Sequence, residues 1–339
     1  MQTNEAEHNH VLVADVGGTF ARFSLVKAGG VATEILTLPR DSAPSMAALC
    51  TEAIRQLGTK PTGASIAVAG PVGHGRGILT NVGWTFSEQA LQSDLSLERV
   101  VLVNDFAALA LTLPDLSRAD LVTVAPHVFE PSNHHADAIE PTMRVVFGPG
   151  TGLGVAALLE TNGERIVIDS EGGHAGFAPS TELEQALLVY TQDRFGRVSW
   201  ERVLSGPGLQ LIDEVCRESI GSAQTAARTP REIVEAAVQG SCPVAAMAIE
   251  CFAGLLASFA GDLAMTFRAS GGIYVGGGLS GRMLSLFSFP LIRERFHDKG
   301  RHAAWLDTVP LYFIRNPQAA LTGAGIAYER RHRGATAQR

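Results

Sequence analysis

Two glycine-rich hairpins constrain this chain more than any other feature. The first reads VLVADVGGTFARFSLV, from Val11 to Val26, and the second VVFGPGTGLGVAALLE, from Val145 to Glu160. In each, a strand-like apolar run enters a Gly/Thr turn and leaves as a second strand-like run. A glycine turn leaves backbone N–H groups bare, because no Cβ stands between them and an approaching anion. Two such turns in one chain imply a polyphosphate gripped from two sides. Asp15 stands at the mouth of the first turn, a natural place for the water shell of a divalent cation. The combination points to a nucleotide-dependent phosphotransferase.

Each motif also has a plainer reading. Gly17, Gly18 and Thr19 are equally a tight hairpin with glycine at positive φ. The run Gly148 to Gly154, with Gly150, Thr151 and Gly152 at its centre, is equally a glycine-rich bulge at a sheet edge. It is not a Walker motif, since no lysine follows it. Gly276, Gly277, Gly278, Leu279, Ser280 and Gly281 match G-x-G-x-x-G after a strand, but late in the chain and without a second βαβ half. A turn against which an adenosine lies flat suits that position better.

Asn104-Asp105 closes a buried strand at the start of a helix. Asp105 is there either an N-cap or a general base that takes a proton from an attacking hydroxyl. Glu171 and His174, in EGGH, lie three residues apart in a polar loop and can hydrogen-bond adjacent sugar hydroxyls. His174 by itself reads as structural, and Glu201 as a glutamate on a helix surface. Asn81 and Trp84, in TNVGW, are turn and core or the lining of the same pocket. The histidines at 8, 10, 127, 134 and 135 lie in polar segments and are expected to be solvated, with no metal assigned to them.

A chain of 339 residues is long for one core, so two domains are expected. The opening reads as a β-meander over Val11–Val16, Phe20–Val26 and Val31–Leu38. A helix is expected from about Ser45 to Leu57, and strands at Ser65–Ala69 and Val100–Val103. FAALALTL then continues as a helix to Pro114. The polar insert HVFEPSNHHADAIEP is expected as an exposed loop. Thr181 to Ala269 is largely helical. A last strand at Leu311–Arg315 precedes a helix from Pro317 to about Arg330, expected to pack on the N-terminal domain. The hairpins are the only internal echo.

The net charge is −7 and no Lys/Arg run occurs, so nucleic acid is not expected as a partner. Cys50, Cys216, Cys242 and Cys251 show no C-x-x-C spacing and read as reduced, part-buried thiols of a cytoplasmic protein. No signal-peptide core opens the chain. The apolar stretch Cys251 to Phe267 is broken by Asp262 and reads as too short to span a bilayer. No membrane partner is expected.

Taken in order, these blocks resemble the bacterial glucokinases of the hexokinase/actin-like ATPase superfamily. The resemblance runs from DVGGTFAR through AGPV, TNVGW, VNDFAALAL, GPGTGLGVA, EGGHAGFAP and ERVLSGPGL to GGIYVGGGL, over nearly the whole chain. It implies an α/β protein of the two-domain actin-like ATPase (ribonuclease H-like) fold. A small α/β domain (1–114 plus 316–339) and a larger α+β domain (115–315) would flank an interdomain cleft. It implies ATP-dependent phosphorylation of glucose at the 6-hydroxyl, the first step of glycolysis. Glucose would be held by Asn104, Asp105, Glu171, His174 and Glu201, with Asp105 as the base. Mg²⁺ and ATP would sit across Asp15, Gly17, Gly18, Thr19, Gly150, Thr151, Gly152, Gly276, Gly277 and Gly278. No direct metal ligand is assigned, Asp15 acting through water. A homodimer is implied as well.

The chain departs from the family pattern in two places. Phe20 stands where many relatives carry a polar residue, which is expected to alter packing beneath the phosphate turn. GHGRGI, from Gly73 to Ile78, lacks the acidic residue common after the AGP block. A cysteine-rich zinc loop and an N-terminal helix-turn-helix are absent, which argues against the regulator branch of the superfamily. Two other readings stay open from the residues: a kinase for a different hexose, and a non-catalytic sugar sensor.

Overall fold

The run around Val11–Val16 is apolar on both sides because it becomes the centre of a sheet covered on both faces. The computed structural model describes residues 10–27, 34–80, 82–124, 141–221 and 226–336. It divides into two units, Met1–Asp115 with Asn316–Arg339, and Leu116–Arg315.

In the first unit, β1 (His10–Val16), β2 (Phe20–Lys27) and β3 (Leu36–Pro39) form the antiparallel meander. Among the described residues the third strand begins only at Leu36, after Glu34 and Ile35, and it runs to Pro39; residues 28–33 lie outside the described part. Next come α1 (Met46–Leu57) and β4 (Gly63–Val68), then a small sheet of β5 (Val72–Gly73), β6 (Arg76–Leu79) and β7 (Trp84–Ser87). The unit continues through α2 (Glu88–Leu95) and β8 (Arg99–Asn104) to α3 (Asp105–Thr112). Ser45 caps α1 by accepting the Ala48 N–H, and Gly58 ends it in the left-handed conformation.

The main sheet runs β3-β2-β1-β4-β8, with β4 and β8 parallel to β1. Leu12, Ala14, Val16 and Phe23 face Leu49 and Ala53 of α1 and Leu91 of α2. The opposite face, Val11, Val13 and Val26, is closed by Ala108 of α3 and by Leu321 and Ala324 of the C-terminal helix (Ala319–Thr336).

The second unit repeats this plan. Its strands are β9 (Leu121–Thr123), β10 (Thr142–Pro149), β11 (Leu153–Thr161), β12 (Glu164–Ser170), β13 (Ile273–Val275) and β14 (Leu311–Ile314). They run in the order β12-β11-β10-β13-β14-β9. β10 to β12 are antiparallel, whereas β13 and β14 are parallel to β10. Apart from the added edge strand β9, strand order and direction match the first sheet. The echo seen as two hairpins is therefore a repeat of a whole five-stranded plan.

Helices α4 (Glu182–Phe195), α5 (Trp200–Val203), α6 (Gly206–Ser219), α7 (Pro230–Val238) and α8 (Pro243–Phe267) precede β13. After it come α9 (Gly278–Met283), α10 (Phe289–His297) and α11 (Ala303–Leu306). The stretch expected as too short to cross a bilayer belongs to α8, which reaches back to Pro243. By length and composition its 25 residues suffice to span, yet 78% of its most apolar window is buried in the protein. It is a core helix, and it carries Phe259. Phe259 meets Phe147 of β10 at 5.3 Å and Trp200 of α5 at 5.1 Å, while Phe177 packs on Trp200 at 5.1 Å. The polar insert expected as a loop falls on residues outside the described part, except Pro141.

Candidate active site

Strand β8 ends where α3 begins, and this junction decides the role left to Asp105. Asn104 is the N-cap: its Oδ1 accepts the N–H of Phe106 at 2.9 Å and of Ala107 at 3.1 Å. Its Nδ2 donates to the Gly70 carbonyl at 3.2 Å and to Asp105 Oδ1 at 3.0 Å. The capping duty expected as an alternative for Asp105 thus falls to its neighbour. The Asp105 carboxylate also accepts the Phe106 N–H at 3.0 Å. Burial pushes Asp105 up to about 7, the charge of Asp15 adds to the rise, and the Phe106 and Asn104 hydrogen bonds oppose it. Asp15 is itself raised by burial, against the Arg22 guanidinium 3.1 Å away. Two carboxyls, one of which lifts the proton affinity of the other, make a site suited to holding a proton or a cation.

The first turn is tight: the Gly17 N–H donates to the Phe20 carbonyl at 3.0 Å. Gly17 is not at positive φ, so backbone conformation does not explain why a glycine stands there. The Thr19 and Gly18 carbonyls accept from the Arg40 backbone N–H at 2.9 Å and from Arg40 Nε at 3.1 Å. Phe20, expected to alter packing beneath the turn, is instead 54% exposed.

In the second unit, β10 and β11 pair without interruption from Thr142↔Glu160 to Pro149↔Leu153. Strand β10 also lies inside the sheet, so the reading of this turn as an edge bulge is overturned. Gly150 to Gly152 form the loop, closed by the Gly150 N–H on the Gly152 carbonyl at 2.8 Å. Glycine is required where other backbone comes close. A Cβ on Gly148 would meet the Gly276 carbonyl carbon at 2.6 Å. Gly277, at φ +84, would place its Cβ 2.6 Å from the Pro149 oxygen. The Gly150–Gly152 turn and the Gly276–Gly278 turn are thus brought together, the latter as the start of short α9.

Glu201 is no surface glutamate. Trp200, buried among Phe177 and Phe259, fixes α5, so that Glu201 Oε2 accepts the Leu153 N–H at 2.9 Å. Its Oε1 stands 3.8 Å from His174 Nε2, and Glu171 Oε2 lies 3.9 Å from the same nitrogen. These separations exceed a hydrogen bond. They leave an open group of two carboxylates and an imidazole, able to accept from and donate to vicinal hydroxyls. Arg197 holds the loop through the His174 carbonyl at 2.7 Å.

Within the first unit the structure therefore assembles Asp15, Asn104 and Asp105 with their surroundings. Within the second it assembles Glu171, His174 and Glu201, and places Glu201 against the Gly150–Gly152 turn. Asn81 lies outside the described residues, as do the histidines at 8, 127, 134 and 135. His10, expected to be solvated, opens β1 with its Nδ1 buried. Among the described residues no three His, Cys, Asp or Glu side chains form a metal-binding group.

Sequence reasoning missed Arg22, Arg40 and the Leu153 N–H. Arg22 was within reach: a two-residue turn at Gly18-Thr19 sets Arg22 opposite Asp15, as observed. Nothing local signals Arg40 or Leu153.

The family model described as Glucokinase matches residues 12–331. A glucokinase from Chromobacterium violaceum is 39% identical over 314 residues, 92% of this chain and 87% of that protein. A bifunctional protein from Burkholderia lata is 37% identical, and there the chain spans about half (47%) of the relative's length. Among solved structures, a glucokinase from an Antarctic psychrotroph superposes with a TM-score of 0.79 at 32% identity, over 95% of this chain and 99% of that one. A ROK family glucokinase from Streptomyces griseus, solved with glucose and AMPPNP, shares the fold (TM-score 0.64) at 20% identity, over 94% of this chain and 98% of that one.

Proposed function

The chain belongs to the glucokinase family, and from that premise we infer that it transfers the γ-phosphoryl group of ATP to the 6-hydroxyl of glucose, releasing ADP. Asp105 carries this reading. A carboxylate whose proton affinity is lifted to about 7 by burial and by Asp15 is matched to taking a proton from an alcohol at neutral pH. Asn104 relieves it of capping duty and steadies it by a hydrogen bond. In a loose phosphoryl-transfer transition state, positioning and charge compensation supply most of the rate. The chain's task is then to hold the sugar hydroxyl against Asp105 and the phosphates against main-chain N–H groups.

Glucose is assigned to Asn104, Asp105, Glu171, His174 and Glu201. The carboxylates accept hydroxyl protons, and the imidazole can give or accept one. The nucleotide is assigned to Asp15, Gly17, Gly18 and Thr19, to Gly150, Thr151 and Gly152, and to Gly276, Gly277 and Gly278. The Streptomyces griseus relative's complex with glucose and AMPPNP supports this pair of ligands. Mg²⁺ is usually held by one or two carboxylates plus phosphates and waters, not by an all-protein cage. One part-buried carboxylate, Asp15, beside the glycine turn fits that demand. Asp15 would hold the ion through water, and the ion would neutralise phosphate charge.

The finer architecture, an actin-like ATPase fold with a small α/β and a larger α+β domain, belongs to the same proposal. The repeated strand order of the two sheets supports it. A cytoplasmic homodimer is part of it too, testable by light scattering.

The test is a coupled kinase assay across hexoses and phosphoryl donors, run on wild type and Asp105→Asn. Glucose with ATP is expected to be the preferred pair. The variant should keep glucose binding while kcat falls roughly 10²–10⁴-fold. Near-normal turnover by Asp105→Asn would remove Asp105 as the base. ATP consumption indifferent to any hexose would remove the kinase reading.

A further inference from the structure

The first glycine turn is held from behind by one residue, Arg40, which lies 22 positions beyond it in sequence. Its backbone N–H donates to the Thr19 carbonyl at 2.9 Å and its Nε to the Gly18 carbonyl at 3.1 Å. In a trans peptide the C=O and the following N–H point in opposite directions. Drawing the Gly18 and Thr19 carbonyls to Arg40 therefore turns the N–H groups of Thr19 and Phe20 away from it. Those are the groups a phosphate would use. The same guanidinium lies over the ring of Trp84, 6.0 Å from its centroid, within the range of a cation–π contact. Trp84 opens β7, just after the TNVG segment. One side chain thus joins the turn after β1, the end of β3 and the small sheet.

We propose that Arg40 is a positioning residue for the phosphoryl donor: it presets the Gly18–Thr19 and Thr19–Phe20 peptides so that their N–H groups face the ATP phosphates. Its part-buried positive charge behind the turn adds to the field those amides present to an anion. The proposal rests on the reading of this turn as the donor-phosphate site. Arg40 touches neither sugar nor phosphate in this scheme and acts through the turn's conformation and the field at its amides. Its effect therefore belongs in donor affinity, not in sugar affinity.

The test compares Arg40→Gln, Arg40→Lys and Gly17→Val with wild type, measuring KM for ATP and for glucose, kcat and Tm. Arg40→Gln is expected to raise KM for ATP about tenfold, with KM for glucose within twofold. Arg40→Lys keeps the backbone N–H and a cationic donor, so it should recover much of the ATP affinity. AMPPNP binding to Arg40→Gln, followed by calorimetry, should weaken by the same factor even where turnover is too low to fit. If Arg40→Gln does not fold, Arg40→Lys carries the test, with a smaller rise in KM for ATP alone. An unchanged KM for ATP, or equal rises for ATP and glucose, would overturn the role of Arg40. Gly17→Val separates the two failures. It places a branched side chain in the turn, so a raised KM for ATP there with none in Arg40→Gln sinks only the positioning role. No effect from either variant sinks the phosphate reading of the turn.

Discussion

At the scale of single residues, Asp105 has surroundings that disfavour its ionised form. Its folded-state proton affinity, about 7, lies above the ordinary carboxylate value of 3.8. The folded protein therefore holds this proton more tightly than the unfolded chain does. Stability from this group is fully present below about pH 4 and is lost as the pH climbs through about 7. Asparagine cannot ionise, so Asp105→Asn should melt at a higher temperature than wild type at pH 8, by a few degrees. The gap should close towards pH 4 in melts recorded across that range. Activity has the opposite sign, because a base works ionised: kcat/KM should fall about tenfold per pH unit below about 7. A profile flat from pH 5 to 8 would show that another group limits the reaction.

At the scale of elements, Glu201 joins a turn to the Glu171–His174 loop, and the two contacts can be told apart. Its Oε2 accepts the Leu153 N–H, while its Oε1 faces His174. Glu201→Gln keeps an acceptor for the amide and loses the charge; Glu201→Ala loses both. Both variants should weaken glucose binding, whereas only Glu201→Ala should also raise KM for ATP severalfold, because the Gly150–Gly152 turn is then untied. The neighbouring turn is governed by space. Gly277→Ala asks a Cβ to sit at positive φ against the Pro149 oxygen. A cost of about 1–3 kcal/mol is expected, seen as a lower Tm together with lower activity.

At the scale of the whole molecule, the first unit is built from both ends of the chain. The C-terminal helix covers Val11 and Val13 on one face of the sheet and packs on α3, whose first residue is Asp105. Gly323 lies against the Ala108 carbonyl with no room for a side chain. A stop after Arg315 removes this helix and leaves the second unit's residues intact. It is expected to expose the Val11 and Val13 face, abolish phosphorylation and cause aggregation, read by circular dichroism and size exclusion. A truncated chain with wild-type melting would show that the helix is no part of that core.

Much of this was legible from sequence, and the legible part is local. Apolar runs broken by glycine turns marked both hairpins and, through the short turn, the opposition of Asp15 and Arg22. The helix expected from about Ser45 is α1, and VND marked the strand–helix junction that carries Asp105. These features depend on neighbours a few residues apart, whose geometry the backbone itself dictates. Packing decided the rest. The aromatic cluster of Phe147, Phe177, Trp200 and Phe259 brings Glu201 to an amide 48 residues away. Arg40 reaches back to Gly18, and Gly148 meets Gly276 across more than a hundred residues. The second sheet's likeness to the first emerged only when β13 and β14 paired beside β10. Such encounters follow from which apolar faces can be buried together, and a pattern with a period of two or 3.6 residues says which faces are apolar, but not which other face each will meet.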